Sequence, residues 1–184
     1  MNIRKINSKI TGILIITVLA HYGICLYSLS FGWYNPLVTK ITAIAPCVVF
    51  VAHALLSLYK LLFVHDKVKG FCYPKYNIKT LIQRISAILM VITLPFHIKA
   101  FPLMFAGLFL FWPDRMALVA IELIFFLTMF VHMAISIPRA CITFGDIRFD
   151  ETEKKIQTIS YIACAILFLA GCFVVCGFIL IYQP

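Results

Sequence analysis

Apolar residues run almost unbroken over five stretches, approximately Ile10–Phe31, Ile41–Val64, Leu81–Phe101, Met116–Ile137 and Ile156–Ile181, and the segments between them hold most of the charges. A helix crossing ~30 Å of hydrocarbon at ~1.5 Å per residue needs about 20 mostly apolar residues, and each stretch meets that length. The pattern predicts an all-α fold: an integral membrane bundle of five transmembrane helices, forming a single domain over residues 1–184. A further apolar segment, FPLMFAGLFLFW at 101–112, is too short to span. It contains Pro102, so the expectation is a break in the third helix followed by an interfacial segment.

Composition supports this reading. Hydrophobic residues make up 63% of the 184 positions and charged residues 12%, too few to coat a soluble domain. The net charge of +9 would suit nucleic acid, but its distribution points to membrane topology. Thirteen of the sixteen Lys and Arg lie near the N-terminus (Arg4, Lys5, Lys9), between Lys60 and Arg84, or between Arg139 and Lys155. Basic segments stay on the cytoplasmic side. The N-terminus is therefore expected in the cytoplasm and the C-terminus outside, across a cytoplasmic (inner) membrane, with Lys40, Lys99 and Arg115 on the outer side. The first apolar run is longer than a signal peptide and ends in no small-x-small site, so it is read as a retained helix. The seven cysteines form no CxxC pair, which leaves no iron–sulfur or disulfide framework to read.

The informative pattern is an internal repeat. IITVLAH ends at His21 and VITLPFH at His97, with Thr17 and Thr93 at matching places. FVAHALLSL places His53 four residues before Ser57, and MFVHMAISI places His132 four before Ser136. A two-helix unit thus occurs twice, with one histidine per helix. Histidine inside a bilayer is costly and rarely faces lipid. Any one of the four is as readily a packing residue bonded to a neighbouring helix, but four at matched positions favour a shared role. The fifth, His65, falls in a basic loop and reads as solvent-facing. His53 and His132 each lie seven residues from a basic residue at the cytoplasmic end, about 10 Å deep, whereas His21 and His97 lie ~18–20 Å from that side. Two imidazoles at each of two levels, within apolar walls, suit two stacked b-type haems better than a four-ligand zinc site. The absence of CxxCH makes such haems non-covalent. Thr17, Thr93, Ser57 and Ser136 all fall on the cytoplasmic side of their histidines. There they either bond haem propionates or return a hydrogen bond to their own helix.

These residues resemble the five-helix diheme cytochrome b subunit of succinate dehydrogenases and fumarate reductases. LIQRISAILMVITLPFH (81–97) is similar to that family's QR-[VI]-[TS]-G stretch and its ligand histidine, and SKITGILIITVLAH (8–21) to the first-helix counterpart. VAHALLSLYKLLF (51–63) resembles the second helix, and His132 through PRACITFGDIR to Gln157 and the last helix resembles the C-terminal half. Ala87 stands where the family has glycine, and the link between the first two helices is shorter. The resemblance implies a first-four-helix haem bundle, with a distal haem on His21 and His97 and a proximal one on His53 and His132. It also implies a quinone substrate (menaquinone), a flavoprotein partner with covalent FAD, and an iron–sulfur partner on the cytoplasmic side. The diheme anchor of a hydrogenase or formate dehydrogenase is the nearest alternative, and a haem-free helical membrane protein the next.

Glu122 is the one carboxylate deep in a predicted span, ~9 Å from the outer end of its helix. It is read either as a proton carrier at a distal quinone site or as a hydrogen-bonding partner of a neighbouring helix. Gln83, Arg84 and Ser86 open the third helix, where Arg84 meets a propionate or quinone oxygen or simply marks the positive interface. Trp33, Tyr34 and Trp112 read as an aromatic belt at the outer surface.

Overall fold

The structure is a computed structural model that describes residues 3–63, 74–105, 112–144 and 150–181. Five helices account for all of them except the turn at 32–35: α1 (Ile3–Phe31), α2 (Pro36–Phe63), α3 (Pro74–Phe105), α4 (Trp112–Phe144) and α5 (Asp150–Ile181). All five are long and apolar enough to cross a membrane. The protein is a multi-pass membrane protein built as an all-α five-helix bundle.

The helices outrun the apolar stretches, because backbone hydrogen bonding continues into polar residues once a long helix is nucleated. Pro102 does not break α3, which runs on to Phe105. A proline removes one backbone donor, which a membrane helix tolerates when neighbours hold its side chains. Ala100 and Met104 are each 1% exposed, so packing holds this segment in helical register. Residues 106–111, and His65 in its loop, lie outside the described residues.

α4 is the central helix, packed against α1, α3 and α5, while α2 packs mainly on α1. Ile16, Val48, Leu55, Ile88 and Phe173 point outward and exposed, as a lipid-facing surface does. Between helices, hydroxyls bond to backbone carbonyls: Ser8 to Ala140 at 3.1 Å, Tyr22 to Leu167, and Ser160 to Ala134 at 3.1 Å. The last of these follows from sequence. Pro138 has no N–H for the carbonyl four residues before it, and Ser160 of α5 supplies the missing donor at Ala134.

The α1–α2 turn is specified residue by residue. Gly32 adopts φ 62° just past the end of α1, and the Trp33 N–H reaches back to the Ser28 carbonyl at 3.0 Å, a glycine C-terminal cap. Asn35 Oδ1 then accepts the N–H groups of Leu37 and Val38 at 3.0 and 3.2 Å, and Pro36 takes the first helical position. Six residues reverse the chain and fix the register of α1 against α2.

Where α1, α4 and α5 meet, the fit is close. A Cβ added to Gly171 would stand 2.7 Å from the Tyr22 hydroxyl and 2.9 Å from the Phe126 ring. Gly171→Ala is expected to cost about 1–3 kcal/mol by overpacking, seen as a lower thermal midpoint in detergent. Gly177→Ala, with nothing within 4 Å, serves as the control and should leave the midpoint unchanged.

Candidate functional site

α1 and α2 each hold the other's imidazole. His21 Nδ1 on α1 lies 3.4 Å from Thr42 Oγ1 on α2, and His53 Nδ1 on α2 lies 3.3 Å from Thr11 Oγ1 on α1. A hydroxyl has one proton to give, and both threonines have spent theirs on their own helix. Thr11 donates to the Asn7 carbonyl at 2.8 Å and Thr42 to the Val38 carbonyl at 2.9 Å. Toward the imidazole each oxygen therefore accepts, so Nδ1 carries the hydrogen and Nε2 presents a lone pair.

α3 and α4 repeat the arrangement with other partners. His132 Nδ1 on α4 donates to the Gln83 backbone carbonyl on α3 at 3.0 Å, with Ser86 Oγ at 3.4 Å. His97 Nδ1 on α3 donates to Glu122 Oε2 on α4 at 2.8 Å. All four histidines are thus held at Nδ1. Among the described residues the one contact at Nε2 is a weak one, Cys25 Sγ at 3.5 Å from His21. A ring nitrogen fixed by a carbonyl, hydroxyl or carboxylate, with the other left bare, is how metal-ligating histidines are arranged.

The same contacts fix two levels. Thr11 and His21 are ten residues apart on α1, and Thr42 and His53 eleven apart on α2. Ser86 and His97 are eleven apart on α3, and Glu122 and His132 ten apart on α4. Each spacing is ~15 Å along a helix. At the level nearer the N-terminal end, the His53 and His132 rings approach to 6.4 Å between centroids, with planes at 77°. Two imidazoles sharing one metal ion through bonds of ~2 Å have centroids roughly 6 Å apart. At the other level, His97 stacks flat on Phe125 at 4.1 Å and 12°, and His21 faces the same space from α1.

That space is a cavity of about 420 Å³ lined by all four histidines. Its walls are largely apolar, among them Leu14, Phe50, Leu94, Phe126 and Met129. Among the described residues no three His, Cys, Asp or Glu side chains converge as a metal-ion site. Imidazoles in pairs, bare Nε2 atoms and apolar walls fit non-covalent haem, whose ring supplies the other four iron ligands.

Other expected residues fall elsewhere. Thr17 and Thr93 lie outside the cavity lining and donate to carbonyls of their own helices, Thr17 to Ile13 and Leu14, Thr93 to Leu89 and Met90. Ser57 is also outside the lining, while Ser136 is on it, 7% exposed, accepting from Gln83 Nε2 at 2.8 Å. Arg84 is exposed, because Gln83 beside it takes the face toward α4. The guanidinium that reaches inward is Arg139, bonded to Gln83 Oε1 and, at 2.9 Å, to Thr80 Oγ1. Tyr34 stacks on Phe105 at 4.7 Å and lines the cavity. Trp33 is exposed, as a belt position requires, and the Trp112 side chain lies outside the described residues. Glu122 is hydrogen-bonded to a neighbouring helix, through His97 of α3.

Thr11, Thr42 and Arg139 were not legible as site residues, because each acts across a helix–helix contact that spacing along one helix cannot reveal. No protein-family model matches the chain, nor does any curated protein or solved structure.

Proposed function

We propose that this chain is the membrane anchor and diheme cytochrome b subunit of a succinate:quinone oxidoreductase of the succinate dehydrogenase/fumarate reductase kind. It would pass electrons between an iron–sulfur partner and quinone in the cytoplasmic (inner) membrane. The observation that carries this reading is the histidine set: two levels, two imidazoles each, every Nδ1 held and all four residues lining one apolar cavity. His53 and His132 would ligate the proximal haem, and His21 and His97 the distal one. Bound there, each haem supplies a one-electron carrier. The protein's part is to fix the imidazoles, exclude water with its apolar walls, and hold Ser136 on the cavity wall through Gln83, which Arg139 braces in turn.

The choice of succinate chemistry rests on the sequence resemblance. In this reading the basic segments face the cytoplasm and dock the iron–sulfur and flavoprotein subunits, the C-terminus is outside, and quinone (menaquinone) reacts at the distal level. FAD and iron–sulfur clusters belong to the partners.

The test uses the tagged chain purified from its native membranes with whatever remains bound. A subunit carrying covalent flavin and an iron–sulfur protein should co-purify. Added succinate should reduce the b-type bands, and a menaquinone analogue should reoxidise them. Reduction by formate or hydrogen in place of succinate overturns the assignment in favour of another dehydrogenase.

A further inference from the structure

The two hairpins hold their histidines at matching places, but one of the four partners differs in chemical kind. Three imidazoles are held by neutral oxygens: Thr42, Thr11 and the Gln83 carbonyl. The fourth, His97, is held by a carboxyl group, at the place where the α1–α2 hairpin uses Thr42. Glu122 is 1% exposed, its Oε2 sits 2.8 Å from His97 Nδ1, and its Oε1 is buried with no hydrogen-bond partner among the described residues. A buried carboxyl with one oxygen unmatched costs free energy that a threonine there would avoid. Phe125, on the same turn of α4, lies flat on the His97 ring. The stack fixes the plane of the ring, and Glu122 fixes its rotation within that plane.

We infer that Glu122 is a positioning residue for His97, setting both the orientation of the imidazole and the donor strength of its Nε2, and so making the His21/His97 centre unlike the His53/His132 centre. This rests on the diheme reading. A carboxylate is a stronger acceptor than a carbonyl or hydroxyl oxygen. It leaves more electron density on the imidazole, and a richer ligand favours the oxidised metal.

The experiment compares the wild-type complex with E122L and E122Q by electron paramagnetic resonance and redox titration of the haems. In E122L the acceptor is gone. One low-spin ferric signal should change its g-values and that centre's potential should rise, while the other centre keeps both. E122Q keeps an oxygen acceptor of weaker kind, so its signal should stay near wild type, with a smaller potential shift in the same direction. E122L with both signals and both potentials unchanged overturns the inference. If E122L does not assemble, E122Q decides, and unmoved potentials there overturn it. Slow quinone turnover in E122Q with unmoved potentials also overturns it and returns Glu122 to proton exchange. A wild-type complex without haem defeats the diheme reading, whereas two haems with unmoved variants defeat only this inference.

Discussion

On the diheme reading, His132→Ala is expected to remove one b-type centre and leave the other, and His53→Ala to remove the same one. The two rings face each other at 6.4 Å from α4 and α2, so loss of either Nε2 breaks a single bis-imidazole site. His21→Ala and His97→Ala should each remove the second centre, because those side chains share the other level of the cavity. The effect is large: half the haem per chain, and one of two steps missing from a redox titration of variants that assemble. The single centre should be the same within each pair and different between pairs. His21→Ala and His53→Ala losing the same centre would contradict the two-level arrangement.

Gln83→Leu is expected to destabilise the protein and to impair the His53/His132 level selectively. The Gln83 amide bridges Arg139 and Ser136, and its own backbone carbonyl holds His132. Leucine removes two side-chain hydrogen bonds, one of them to a half-buried guanidinium that also bonds Thr80. Hydrogen bonds to charged groups are worth about 1.5–3 kcal/mol each, so the combined loss is roughly 2–4 kcal/mol. Thermal unfolding in detergent reads the stability, and haem occupancy reads the site. Occupancy should fall at the His53/His132 level first. An equal fall at both levels would mean that Gln83 supports the bundle generally.

The same bonds explain what the sequence could and could not reveal. Hydropathy exposes the five helices, because the membrane demands ~20 apolar residues per span whatever packs beside them. The histidines stood out because four imidazoles in apolar helix are costly. Their partners were hidden because a hydrogen bond across two helices depends on register, and register depends on the turn. Gly32 lies midway between Thr11 and His53, and within half a residue of the midpoint of His21 and Thr42. The glycine cap and the Asn35–Pro36 start thus decide which hydroxyl meets which ring. Thr17 and Thr93 matched the repeat by spacing alone and proved to be bonded to their own helices. Pro102 misled for a related reason: a proline's effect on a helix is set by the packing around it, and Met104 and Ala100 are held in the core.

The central claim is that four histidines form two bis-imidazole haem sites, and haem content measures it most directly. A pyridine haemochrome assay on the purified, detergent-solubilised complex, scaled to the amount of this chain, should give two b haems per copy. A value of zero would contradict the haem reading, and a value of one would contradict the pairing of the histidines by level.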